Sequence, residues 1–81
     1  MAVSKYVEEV LETLRTNSLL SATKGGLEVE ILSVDPYPEE TDVVMALGNG
    51  KLITTQDLEF SDIHGNNLVL GDYSFILKPH N

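Results

Sequence analysis

The first sixteen residues carry the apolar spacing of an amphipathic helix. Six apolar side chains recur at intervals of three and four residues, which places them on one helix face. Ser4 is the expected N-cap and Asn17 the expected stop, with Leu19 and Leu20 compatible with one further turn. We predict a core helix over about residues 3–16. Its apolar positions are Val3, Tyr6, Val7, Val10, Leu11 and Leu14.

The pattern changes to strands and turns after residue 26. Apolar residues alternate with Glu28 and Glu30, which predicts a strand over residues 27–31 with one face in water. Two prolines within residues 35–40 end this strand, because proline cannot donate to a sheet ladder. The β portion is therefore expected to begin at about residue 27 and to end at about residue 78.

Two hairpins and a last pair of short strands make up the rest of this portion. Residues 43–55 form the first predicted hairpin, around the turn Gly48-Asn49-Gly50. Residues 58–70 form the second, around a turn at residues 64–67 that is rich in glycine and asparagine. A further alternating segment follows Gly71, where we expect a bulge or kink.

A helix followed only by antiparallel strands is typical of the α+β class. We expect one domain, residues 1–81, in which the N-terminal helix packs on a bent antiparallel sheet or small open barrel of four to six strands. A chain of 81 residues buries about 60% of its surface, enough for one thin core.

Charge and cysteine content narrow the class of protein. The chain has 13 acidic and 5 basic side chains, a net charge of −8, and no cysteine. The absence of cysteine removes disulfides, thiolate metal sites and cysteine nucleophiles. Direct binding to nucleic acid or to an anionic membrane is not expected, because both present negative charge. The favoured ligand is a basic protein partner.

The apolar runs favour a cytoplasmic location. The longest run, residues 43–47, is too short to span a bilayer. The N-terminal residues also lack the apolar core of a signal peptide. We therefore expect the protein to be cytoplasmic and to have no membrane partner.

One string resembles the signatures of the calcineurin-like metallophosphoesterases. Asp62-Ile63-His64-Gly65 and Gly71-Asp72-Tyr73 match the Asp-x-His-Gly and Gly-Asp-Tyr motifs. In that family these residues ligate two metal ions that activate water. Here only four residues separate Asn66 from Gly71, too few for the helix crossover that the family places there. We interpret the string as a turn and expect no catalytic residue, no metal site and no cofactor.

The acids of the β portion are the candidate binding residues. Four of them lie within eight residues that contain no base, at Asp35, Glu39, Glu40 and Asp42. Their spacing differs from the calcium loop of the EF-hand, so a cation site is not predicted. Carboxylates along strand edges at about 7 Å match the phosphate spacing of a nucleic-acid strand. The predicted partner-binding residues are Asp35, Glu39, Glu40, Asp42, Glu28, Glu30, Asp57 and Glu59.

These features favour a non-catalytic interaction protein that binds a basic protein. Its charge and size resemble those of small acidic proteins that mimic DNA, including phage-encoded inhibitors of host nucleases. That resemblance implies inhibition of a nucleic-acid-processing protein. The alternative is a structural or assembly subunit that forms a homo-oligomer through its sheet edges. A small metal-dependent hydrolase is the minority alternative.

Overall fold

Helix α1, Lys5–Thr16, opens the part of the chain that the computed structural model describes, residues 5–39 and 43–80. The predicted helix is confirmed, whereas its expected first two residues, positions 3 and 4 with the cap at Ser4, lie outside the described residues. The apolar stripe faces the core, so the helix is a core element. Its buried side chains are Val7, Val10, Leu11 and Leu14.

The chain passes directly from α1 into strand β1, Asn17–Lys24, which the hydrophobic pattern did not predict. At the junction the Asn17 side-chain amide donates to the Thr13 carbonyl oxygen over 2.8 Å. Only Ala22 of β1 is buried, and a register shift interrupts the strand between Leu19 and Ser21. The β portion therefore begins ten residues before the expected start at residue 27.

Seven further strands and a short helix complete the described fold. Helix α2 is Thr55–Leu58, between the fifth and sixth strands. The strands are β2 Leu27–Val29, β3 Ile31–Val34, β4 Val43–Leu47, β5 Leu52–Thr54, β6 Ser61–His64, β7 Asn67–Leu70 and β8 Tyr73–Pro79.

The strands form two open antiparallel sheets. The larger has five strands in the order β2-β1-β8-β7-β6, and the smaller has three in the order β3-β4-β5. All paired neighbours are antiparallel. The α+β class is confirmed, and neither sheet closes into a barrel. The described residues contain eight strands, more than the four to six expected, because β1 was missed and residues 27–31 contribute to two strands.

Both predicted hairpins are present, although Thr55 and Leu58, which were expected in their strands, belong to helix α2. Residues 48–51 connect β4 to β5, and Gly50 adopts a φ of 93°, which favours glycine. The Asn49 side chain accepts a hydrogen bond from the Lys51 backbone at 3.0 Å and donates to the Tyr73 hydroxyl at 3.1 Å. This contact fixes the turn of the small sheet against the large sheet. The second hairpin joins β6 to β7, with His64 paired to Asn67.

One hydrophobic core lies between α1, α2 and the two sheets. Phe75 of β8 and Ile53 of β5 are fully buried, so each sheet supplies central side chains. Tyr6 remains 39% exposed, and its hydroxyl donates to the Ser61 carbonyl oxygen, which connects α1 to β6. The radius of gyration of the Cα atoms is 11.7 Å, about the value of a compact domain of this length.

Candidate functional site

The strand predicted over residues 27–31 is divided at Glu30. Strand β2 pairs with β1 as far as Val29, and β3 begins to pair with β4 at Ile31. Between these two positions the Glu30 carbonyl oxygen accepts a hydrogen bond from the Gly48 backbone at 2.7 Å. The prediction of one continuous strand is wrong, because Glu30 pairs with the smaller sheet while Val29 belongs to the larger one.

This division leaves part of β1 with a strand partner on one side only. Pairing of β1 with β2 ends at Ala22, whereas pairing of β1 with β8 continues to Asn17. Residues 17–21 therefore have β8 on one side and no paired strand among the described residues on the other. An extended segment of this length spans about 17 Å. Such an edge presents backbone groups with which another strand can pair.

An open groove of about 600 Å³ lies where the two sheets separate. We call it the junction groove, and a smaller hollow that shares Glu28, Val29 and Glu30 extends it to Gly48 and Asn49. No base is among its lining residues. The principal lining residues are Leu19, Leu20, Glu28, Val29, Glu30 and Ile31.

The structure brings two of the predicted binding acids together in this groove. Glu28 and Glu30 are both exposed, and neither forms an ion pair with a described base. Asp35 and Glu39 are exposed beyond the end of β3, where the Asp35 carboxylate accepts from the Tyr37 backbone at 3.0 Å. The two other acids predicted for this loop, at positions 40 and 42, lie outside the described residues.

Arg15 fixes the loop after β3 to the end of helix α1. Its Nε donates to the Pro36 carbonyl oxygen at 2.9 Å, and its guanidinium lies 4.7 Å from the centre of the Tyr37 ring. The same guanidinium forms ion pairs with Glu8 at 2.6 Å and with Glu12 at 3.5 Å. The hydrogen bond that the Arg15 guanidinium donates to the Glu8 carboxylate raises the pKa of Arg15 above its ordinary value. Two helix acids are thereby neutralised.

Asp57, one of the predicted binding acids, makes hydrogen bonds within the fold that were not predicted. Its carboxylate accepts a hydrogen bond from the Thr54 backbone at 2.9 Å, and its own backbone donates to the Thr54 hydroxyl at 3.4 Å. These reciprocal bonds form a capping box at the start of α2. Glu59, another predicted binding acid, is the exposed C-cap residue of the same helix.

We expect Asp57→Ala to lower the free energy of unfolding by about 1 kcal/mol, because it removes a helix cap. Glu59→Ala provides the control, since that side chain is exposed and has no bond among those described. Urea unfolding followed by circular dichroism measures both changes. An Asp57→Ala protein as stable as the Glu59→Ala protein would contradict a structural role for the capping box.

The residues of the phosphoesterase-like string lie along the β6–β7 hairpin and the turn that follows it. Asp62 and His64 are exposed on β6. The hydroxyl of Ser61 is buried and donates to the Leu58 carbonyl oxygen at 2.7 Å, so it is engaged in the fold. No group of three or more histidines and acids within residues 5–39 and 43–80 has a geometry that could hold a metal ion.

A second hollow, of about 450 Å³, is basic and aromatic in part, and sequence reasoning missed it. Lys24 and Lys51 line it, although they are distant in the sequence. The Lys24 ammonium lies 5.7 Å from the centre of the Tyr73 ring, and Phe60 beside it is 79% exposed. Asp57 and Asp72 also line this hollow, so its two bases are matched by two acids.

No protein-family model matches the chain, and neither the curated proteins nor the solved structures include a significant match. Neither α1 nor α2, the helices of the described chain, is long and apolar enough to cross a bilayer.

Proposed function

We propose that this chain is a non-catalytic cytoplasmic protein that binds a basic protein partner through acids of its β portion, centred on the junction groove. One observation supports this most directly: exposed acids of the β portion form no ion pair with any described base. None of these acids lies within ion-pair distance of a described base, although Asp72 shares a hollow with Lys24 and Lys51, whereas Arg15 pairs with two acids on α1. The exposed acids are Glu28, Glu30, Asp35, Glu39, Glu59, Asp62 and Asp72.

Exposed acids without an ion-pair partner contribute more to recognition of another protein than to the stability of the fold. Exposed charge pairs contribute little to folding, but a field of one sign accelerates encounter with an oppositely charged protein. Charge complementarity also excludes partners of the wrong sign. The described surface of 5041 Å² is large enough for a standard interface, which takes about 800 Å² from each partner.

A more specific form of the proposal is inhibition of a nucleic-acid-processing protein by DNA mimicry. The net charge of −8 supports this form, as does the scarcity of bases among the exposed acids. The spacing argument from one continuous strand no longer applies, because the chain changes sheet at Glu30. Mimicry would therefore use acids from several elements. Competition between the protein and duplex DNA for the captured partner distinguishes this form from other binding.

The alternative is a homo-oligomer that closes its sheet edges against copies of itself. Edge strands β2 and β3 expose large apolar side chains, with Leu27 at 75% and Leu32 at 59%, which favours this alternative. The net charge opposes it, since two copies repel one another. Light scattering during size-exclusion chromatography distinguishes a monomer from an oligomer.

Capture with the tagged full chain tests the proposed function. We expect a basic protein to be retained at about 50 mM salt and released at about 500 mM, because salt screens exposed charges. We also expect no gel shift of DNA or RNA at physiological salt. Retention of only neutral or acidic proteins, or micromolar binding of nucleic acid, would contradict the proposal.

A further inference from the structure

We propose that the partner docks by adding an extended segment to the open edge of β1, with its side chains in the junction groove. This inference rests on the proposed function for the basic character of the partner. It specifies the form of the ligand as a strand of about five residues with apolar and basic side chains. Residues 17–21 form the receiving edge.

The backbone of β1 supplies the first requirement for strand addition. Residues 17–19 and 21 pair with β8, with an irregularity at Leu20, so the extended conformation of this segment is set before a ligand arrives. The opposite side of this segment has no paired strand among the described residues, because β2 ends at Val29. A preformed edge reduces the ordering cost of binding, and main-chain hydrogen bonds then provide affinity.

The apolar lining supplies the second requirement. Leu20 is 60% exposed, while Leu19, Val29 and Ile31 are half-buried and pack against the core from its margin. A register shift in the pairing of β1 with β8 falls at Leu20. An added strand would remove these side chains from water, which is favourable in proportion to the apolar area covered.

The charge of the groove selects the kind of strand. Glu28 and Glu30 line it without a base among the lining residues, so lysine or arginine in the ligand would be attracted. A second copy of this chain is a poor occupant, because its net charge is −8. Lysine side chains commonly protect an exposed strand edge from pairing with other chains, and no lysine lines the junction groove. Basic partners therefore fit this edge better than self-association.

Selection from a phage-displayed library of random dodecapeptides on the immobilised full chain tests the inference. We expect enriched peptides to alternate apolar residues with lysine or arginine. N-methylation of alternate backbone amides in a synthetic selected peptide should weaken binding at least about tenfold in one register, because it removes hydrogen bonds to the edge. Methylation in the other register should have a much smaller effect, since those amides point away from β1.

Two pairs of matched variants locate the bound peptide. Leu20→Lys should weaken binding at least about tenfold by repelling a basic peptide and removing apolar contact. Leu52→Lys is its control, since Leu52 is 53% exposed on β5 and outside the groove. Glu28→Gln with Glu30→Gln should also weaken binding of the peptide. Glu59→Gln with Asp62→Asn should weaken it much less, because those two acids of the β portion do not line the groove.

The outcomes separate this inference from the proposed function. Peptides that depend on Glu28 and Glu30 but tolerate both methylation registers and Leu20→Lys overturn strand addition alone. The same is true if no peptide is enriched while the basic partner still binds. Selected peptides that lack basic residues and ignore the loss of both acids overturn strand addition and the proposed function together.

Discussion

Replacing Leu11 with alanine should lower the free energy of unfolding by about 2–5 kcal/mol. Leu11 is 2% exposed and belongs to the helix stripe that joins α1 to the core. Removing its side chain forfeits burial and leaves a cavity. A chain of this length has a total stability of about 4–12 kcal/mol, so the loss would be a large fraction. Urea unfolding with an unchanged m value measures it.

Leu52→Ala is the matched control, because the same atoms are removed from a side chain that is 53% exposed. We expect it to change the free energy of unfolding by less than about 1 kcal/mol. If Leu11→Ala were equally mild, helix α1 would not be packed into the core, and the placement of the helix would be wrong.

Removing four exposed charges of the β portion, two of which line the junction groove, should weaken binding of the captured partner about 100-fold at low salt. The variant combines Glu28→Gln, Glu30→Gln, Asp35→Asn and Glu39→Gln. Each lost attraction is worth about 0.5–1 kcal/mol, and the four together give an effect of this size. Asparagine at position 35 keeps the oxygen that accepts from the Tyr37 backbone, so the loop is retained. Surface plasmon resonance measures the change.

The control removes four exposed charges from other parts of the surface. It combines Glu9→Gln, Glu59→Gln, Asp62→Asn and Asp72→Asn. Glu8 and Glu12 are unsuitable for this control, because both bind Arg15, which also holds the loop at Pro36. A loss of affinity equal to that of the first variant would mean that net charge alone acts, without a located site.

Local patterns predicted the elements that local interactions define. The spacing of four apolar residues predicted a buried helix face, because residues three and four positions apart lie on the same side of an α-helix. These residues are Val7, Val10, Leu11 and Leu14. The glycines around Asn49 identified the first hairpin, since they permit the backbone of a tight turn. The alternation in β8 likewise agrees with its burial.

Elements defined by distant partners were missed. Strand β1 is held by ladders to β2 and β8, and its sequence, NSLLSATK, does not alternate apolar with polar residues. The division at Glu30 depends on a hydrogen bond from Gly48, which no pattern within residues 27–31 reveals. The junction groove follows from both features and was therefore beyond sequence reasoning.

The candidate site was partly accessible from the sequence. Glu28 and Glu30 were predicted to be binding acids, and both line the groove, although the prediction of one continuous strand through them was wrong. The apolar residues of the groove were not predicted, because the sequence of Leu19 and Leu20 is also compatible with one further turn of the helix. The spacing of Thr54 and Asp57 is itself a capping-box signal, which would have assigned that acid a structural contact.

The association rate of the captured basic partner, measured against salt concentration, tests the central claim most directly. The account predicts a steep fall in the rate constant between about 20 mM and 500 mM salt, because electrostatic steering is screened. The variant lacking the acids at positions 28, 30, 35 and 39 should associate slowly at low salt and respond weakly to added salt. A wild-type rate constant that does not change with salt would contradict recognition through these acids.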